Sequence, residues 1–205
     1  MAITSYSDLQ STIATYLGRT DLTSMIPTFI DFAEARLSRE LRTRQMLKNV
    51  TSAMTAGTAK IALPSDFISI RDIFIQGNPR TSVNYMSPSA FSREARADDS
   101  GKPVNYTIYG AEFVFGPAPD SAYTLELLYY ARPDRLDEDT SSNVFLANYP
   151  DALLYASLLE AEPYLMNDAR VNTWGTMYDR AIRSINVSDD DGEYSAVPLT
   201  IKTVR

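Results

Sequence analysis

Carboxylates are the side chains best placed to do chemistry in this chain, because its 205 residues contain no histidine and no cysteine. That removes the commonest general base, the commonest metal ligand and any thiolate metal site. A Ser-His-Asp triad is impossible, and no Gly-x-Ser-x-Gly turn or phosphate-cradling glycine loop is present. The acidic clusters are Asp98-Asp99 and Asp189-Asp190-Asp191-Gly192-Glu193. The second has acids and a glycine but not the ligand spacing of a calcium loop, so both read as solvated loops. Two carboxylates for glycoside hydrolysis need only meet in space, and nothing in the sequence singles out a pair. No catalytic residue, metal ligand or cofactor is assigned.

The basic side chains are more ordered than the acidic ones. Arg36, Arg39, Arg42, Arg44 and Lys48 fall in one stretch with a single acid, Glu40. They read first as cations favoured at a helix C-terminus, second as a face that pairs with a neighbouring subunit, and third as a DNA contact. The net charge of −7 speaks against the third, since phosphate neutralisation needs an excess of clustered cations. A second oddity is the terminal segment from Tyr194 to Arg205. Val197, Pro198, Leu199, Ile201 and Val204 have no partner segment nearby. This is either a disordered terminus or an extended arm that orders on a partner. The N-terminus has neither the basic nor the apolar region of a signal peptide, and no run is long enough to span a membrane.

Helical periodicity places these residues. Ser5 or Ser7 can cap a first helix whose Leu9, Ile13, Tyr16 and Leu17 recur at helical spacing, with Gly18 as its stop. Thr23 or Ser24 caps a second, with Pro27 in its first turn and Ile26, Phe29, Ile30, Ala33, Leu37 and Leu41 as the apolar stripe. After Lys48 the period changes to strand. Val50–Met54 and Lys60–Leu63 flank Thr55-Ala56-Gly57-Thr58 and predict a hairpin. Ile68–Ile75 is a strand and Ser87–Phe91 a short capped helix. Asn105–Tyr109 and Glu112–Phe115 form a second hairpin about Gly110, and Tyr123–Ala131 is a long strand. Helix returns near Tyr149-Pro150-Asp151, and Pro163 should kink or end it. A last helix runs from about Asp168 to Asn186, with Val171, Trp174, Tyr178, Ile182 and Ile185 on one face. Asp189–Glu193 is expected to end regular structure. The predicted fold is α+β: an antiparallel helical bundle from 1–48 and 148–187, an inserted antiparallel β region at 49–147, and a C-terminal arm at 188–205.

Several of these segments, in order, resemble a known family. They are Phe29-Ile30-Asp31-Phe32-Ala33-Glu34-Ala35-Arg36-Leu37, Leu63-Pro64-Ser65-Asp66-Phe67, and Gly101-Lys102-Pro103-Val104-Asn105-Tyr106. Gly116-Pro117-Ala118-Pro119, Tyr123–Tyr130 and Tyr149-Pro150-Asp151-Ala152-Leu153-Leu154 follow. The series is similar to the head-to-tail adaptor proteins of tailed bacteriophages, particularly those of short-tailed phages, over about residues 20–180.

The resemblance implies a virion structural protein that forms a dodecameric ring under the portal protein. That ring extends the DNA channel and carries the tail tube or nozzle protein and its fibres. It implies no enzymatic activity. The lack of cysteine is compatible with assembly in the host cytoplasm, the net negative charge with passage of genomic DNA without specific binding, and the lack of a long apolar run with no membrane partner. The portal-binding arm would be the segment carrying Tyr194, Val197, Pro198, Leu199, Ile201 and Val204. A ring needs one interface repeated around a closed rotation. Arg36, Arg39, Arg42 and Arg44 of one subunit could meet Asp189, Asp190 and Asp191 of the next. The other readings are a carboxylate-based cell-wall hydrolase and a DNA-binding adaptor.

Overall fold

The computed structural model describes residues 3–94, 99–165 and 169–194, with Tyr194 described in its backbone only. The chain is mixed α+β and divides into two compact units. The first comprises Met1–Met46 and Pro133–Arg205, the second Leu47–Arg132.

In the first unit, α1 (Tyr6–Leu17) opens on a reciprocal capping box. The Ser5 hydroxyl accepts from the Asp8 N–H (3.2 Å), and the Asp8 carboxylate accepts from the Ser5 N–H (3.1 Å). Gly18 ends the helix at φ +65°, a left-handed conformation that favours glycine. Arg170 then donates to the last carbonyls of α1, at Tyr16 (2.7 Å) and Leu17 (3.4 Å). The start of α2 (Ile26–Glu40) differs from the sequence reading. A 3₁₀ turn, Thr23–Met25, precedes it, and the Thr23 hydroxyl donates to the Thr20 carbonyl instead of capping.

The short helix α4 (Val144–Asn148) was not anticipated. Asn143 caps it, its side-chain oxygen accepting from Phe145 and Leu146 N–H. Next comes α5 (Pro150–Glu160), which stops before Pro163. A single turn, α6 (Glu162–Leu165), follows. Ala152, Leu153, Leu154, Ala156, Ser157 and Leu158 of α5 are all buried, so its apolar surface runs all round. A helix of that kind belongs at the centre of its layer, and α1, α2, α4 and α7 all pack on it.

The last helix, α7 (Arg170–Tyr194), is longer than expected. Asp189–Glu193 does not end regular structure; it forms the final turns. Asp189 and Gly192 lie four and seven residues beyond the buried Ile185, so they continue the inward stripe of Trp174, Tyr178, Ala181 and Ile185. Residues 188–194, expected in the arm, are therefore helical. Residues 133–147, expected in the β region, belong to the helical unit. Leu136, Phe145 and Leu146 are buried there, and Arg135 pairs with Asp31.

The second unit is two four-stranded sheets over one apolar core. β1 (Leu47–Met54), β3 (Phe67–Ile75), β4 (Thr81–Ser82) and β8 (Tyr123–Ala131) form the first, in the order β1-β8-β3-β4. β2 (Lys60–Ala62), β5 (Asn84–Tyr85), β6 (Asn105–Tyr109) and β7 (Glu112–Gly116) form the second, in the order β2-β7-β6-β5. All neighbours are antiparallel except β5 with β6. Met54, Ile73, Phe113, Phe115, Leu125, Leu127 and Tyr129 lie in the shared core. Helix α3 (Pro88–Glu94) packs on β6, with the Ser87 hydroxyl accepting from Ala90 N–H.

The second predicted hairpin is present. Gly110, at φ +59°, turns β6 into β7. The first is not. β1 pairs along its whole length with β8, Leu47 opposite Tyr130 through Met54 opposite Tyr123, while β2 pairs with β7. Gly57 at φ +76° lets the chain cross from one sheet to the other, and its N–H is satisfied by the Pro119 carbonyl (2.7 Å).

Candidate functional site

The basic run on and after α2 is divided between internal contacts and open surface. Arg36 pairs with Glu160 of α5 (2.5 Å) and lies over the Tyr178 ring of α7 (5.8 Å). The Tyr178 hydroxyl donates to Glu40 (2.7 Å); burial, and then this carboxylate, push its ionisation well above the usual tyrosine range. Arg42 donates to the Ser38 (2.7 Å) and Leu41 (2.5 Å) carbonyls, which the end of α2 leaves without helical partners. The backbone N–H of Arg44 donates to the Asp189 carboxylate (3.0 and 3.3 Å), and its guanidinium lies 3.8 Å from the same group. A Cβ at Gly192 would fall on the Arg44 guanidinium, so the missing side chain makes room for it.

Arg44 and Asp189, expected to meet between subunits, thus meet inside one chain. Arg36 and Arg42 also have internal partners. Arg39, Asp190 and Asp191 are exposed. Of the expected portal-binding arm, Tyr194 closes α7, and Val197, Pro198, Leu199, Ile201 and Val204 lie outside the described residues.

One functional group escaped the sequence reading. Glu34 is 8% exposed. Its position, four residues after Ile30 and three before Leu37, puts it on the core side of α2, and this spacing was the available signal. Both its oxygens accept from the Leu136 N–H (3.3 Å), and Oε1 accepts from the Asn143 side chain (2.5 Å). Asn143 also donates to the Asp134 carbonyl (2.7 Å) while capping α4. Burial pushes the Glu34 carboxyl up to about 7, against the pull of these two donors. Neighbouring Asp31 raises it further, and Arg135, which is paired with Asp31, lowers it.

The β unit carries two partnered carboxylates, Asp66 and Glu126, although Glu126 Oε2 is buried without a hydrogen-bond partner. Asp66 accepts from Lys48 Nζ (2.6 Å) and from the Tyr129 hydroxyl (2.8 Å). Burial opposes its ionisation, but these donors outweigh it and hold the carboxyl below the usual range. Glu126 is buried on β8, where Oε1 accepts from Asn49 (3.0 Å) and pairs with Arg80 (3.4 Å). Each is tied to cations or neutral donors, and neither arrangement sets one carboxylate against another. Among the described residues, no group of three or more acids is placed to hold a metal ion, and no helix is long and apolar enough to cross a membrane. Trp174 is a core residue of α7, with the Arg170 guanidinium 5.1 Å from its ring centre.

The ionisable side chains described above sit at helix ends, in linkers and in strand contacts. The family model described as SU10 adaptor protein matches residues 4–202, and the chain belongs to that family. It is a structural adaptor of the bacteriophage head–tail type. A comparison with curated proteins finds no match.

Proposed function

We propose that this protein forms a ring between the portal and the tail of the virion and extends the DNA channel there. Family membership over residues 4–202 carries the reading. The charge pattern supports it. A DNA conduit should not grip its cargo, and this chain has a net charge of −7, with Arg36, Arg42 and Arg44 engaged internally. In this reading the segment Tyr194–Arg205 docks on the portal protein. The β unit meets the tail tube or nozzle protein and its fibres, and DNA passes without specific binding.

Electron microscopy of portal mixed with the full chain tests the reading. The expected image is a portal carrying an added ring, lost when residues 195–205 are deleted. A chain that stays monomeric with portal present, together with portal–tail particles that lack it, would overturn the proposal.

A further inference from the structure

Two helices of the helical unit, α2 and α7, have a second stripe away from their core. On α2 it is Phe32, Ala35 and Arg39, whose spacing of three and four residues stacks them along one face. All three are exposed, opposite the buried Ile30, Ala33 and Leu37. Phe32 keeps 54% of its surface in water. On α7 the stripe is Ser184, Val187 and Asp191, again spaced three and four and all exposed, with Val187 at 60%.

A single exposed Phe or Val needs no explanation, but these two stripes match position by position. With the helices pointing the same way, Phe32 faces Ser184, Ala35 faces Val187 and Arg39 faces Asp191. A large side chain meets a small one twice, as close helix packing requires, and a cation meets an anion at the third position. Turning one helix round sets Phe32 against Asp191 and Arg39 against Ser184, and the match is lost.

Within one chain, α2 and α7 meet through other residues. Arg36 and Glu40 contact Tyr178, and Arg44, farther along, contacts Asp189. These contacts also show that the two helices run in the same direction. Where the ring axis runs along the helices, rotation keeps that direction in every copy. The α2 of one copy would therefore meet the α7 of the next in the parallel sense that the match demands. Two different faces that fit each other make a heterologous contact, which gives a ring when its rotation closes. Independently, Arg39 and Asp191 are among the few residues of the expected interface left exposed once internal pairs are assigned.

We propose that the Phe32–Ala35–Arg39 face of α2 docks on the Ser184–Val187–Asp191 face of α7 in a second copy, and that this contact propagates around the ring. The inference rests on the ring reading above. The cysteine-free chain allows a direct test. A full-length chain with Ala35→Cys and Val187→Cys, assembled on portal and mildly oxidised, should give a ladder of disulfide-linked oligomers. Either single variant should not, since the bond forms only across about 3.5–4.5 Å between Cβ atoms. Arg39→Asp and Asp191→Arg should each weaken assembly by about tenfold, and the combined exchange should restore it. Circular dichroism should show unchanged helix content in all three. A ring without the ladder, or without rescue by the exchange, overturns this face pairing and leaves the ring standing. No ring at all removes both.

Discussion

Glu34 couples folding to protonation near neutral pH. A carboxyl that ionises near pH 7 in the folded chain, against 4.5 for the free group, is stabilised in its neutral form by burial. The sign follows from linkage: the native state binds the extra proton. Its contribution to stability is complete below about pH 4.5 and is lost as pH rises through 7. At about 1.4 kcal/mol per pH unit, the loss is on the order of 3 kcal/mol. Tyr6, Asp31 and Arg135 share this environment, and only Arg135 favours the ionised carboxylate. Glu34→Gln keeps an acceptor for Leu136 or Asn143 but cannot ionise. Urea unfolding at pH 5 and pH 8 should show a drop in stability for the native chain and a drop smaller by about 2–3 kcal/mol for the variant. Equal drops would show that Glu34 is not the group responsible.

At the scale of elements, α7 shows why its last turns depend on the rest of the unit. Asp189, Asp190, Asp191 and Glu193 crowd the C-terminal end, where the helix dipole disfavours anions, and Gly192 adds a poor helix former. The Arg44–Asp189 contact helps hold that segment in a helix, and it satisfies a backbone donor near the start of β1. Asp189→Ala should cost about 1–2 kcal/mol in the segment Asn186–Tyr194. Amide hydrogen exchange should show faster exchange there, with little change around the buried Trp174, Tyr178 and Ala181. This is also where the sequence misled. The acids and the glycine carry every mark of a helix end, and a partner about 145 residues away along the chain opposes it. The same holds for β1. A glycine turn between two short strand patterns predicts a local hairpin, yet β8, a nine-residue strand, offers β1 a longer and more apolar partner than the three residues of β2. Local elements with one strong face were legible: α1 with its cap, the stripe of α2, the β6–β7 hairpin and β8. The candidate interface was legible as a set of charges, but not in which of them remain outward.

At the scale of the whole molecule, charge is the property that bears on function. A chain of −7 has little to offer a phosphate backbone once Arg36, Arg42 and Arg44 are engaged internally. Gel retention with duplex DNA at about 0.15 M salt should show no complex, and lowering the salt should recover at most weak, sequence-independent binding. Tight retention at that salt would favour a DNA-gripping role for the exposed Arg39.

Composition and periodicity alone determined that this is an α+β chain without histidine or thiol chemistry, with strand-rich residues between helical ends, and the order of its motifs carried the family resemblance. These are local or additive properties, and they survive in any one-dimensional reading. Tertiary structure decided which charges are internal pairs, that α7 runs on through its acids, that β1 joins β8, and that Glu34 is buried beside Asn143. Each depends on residues distant in sequence meeting in space, where burial and pairing outweigh the preferences of the isolated segment.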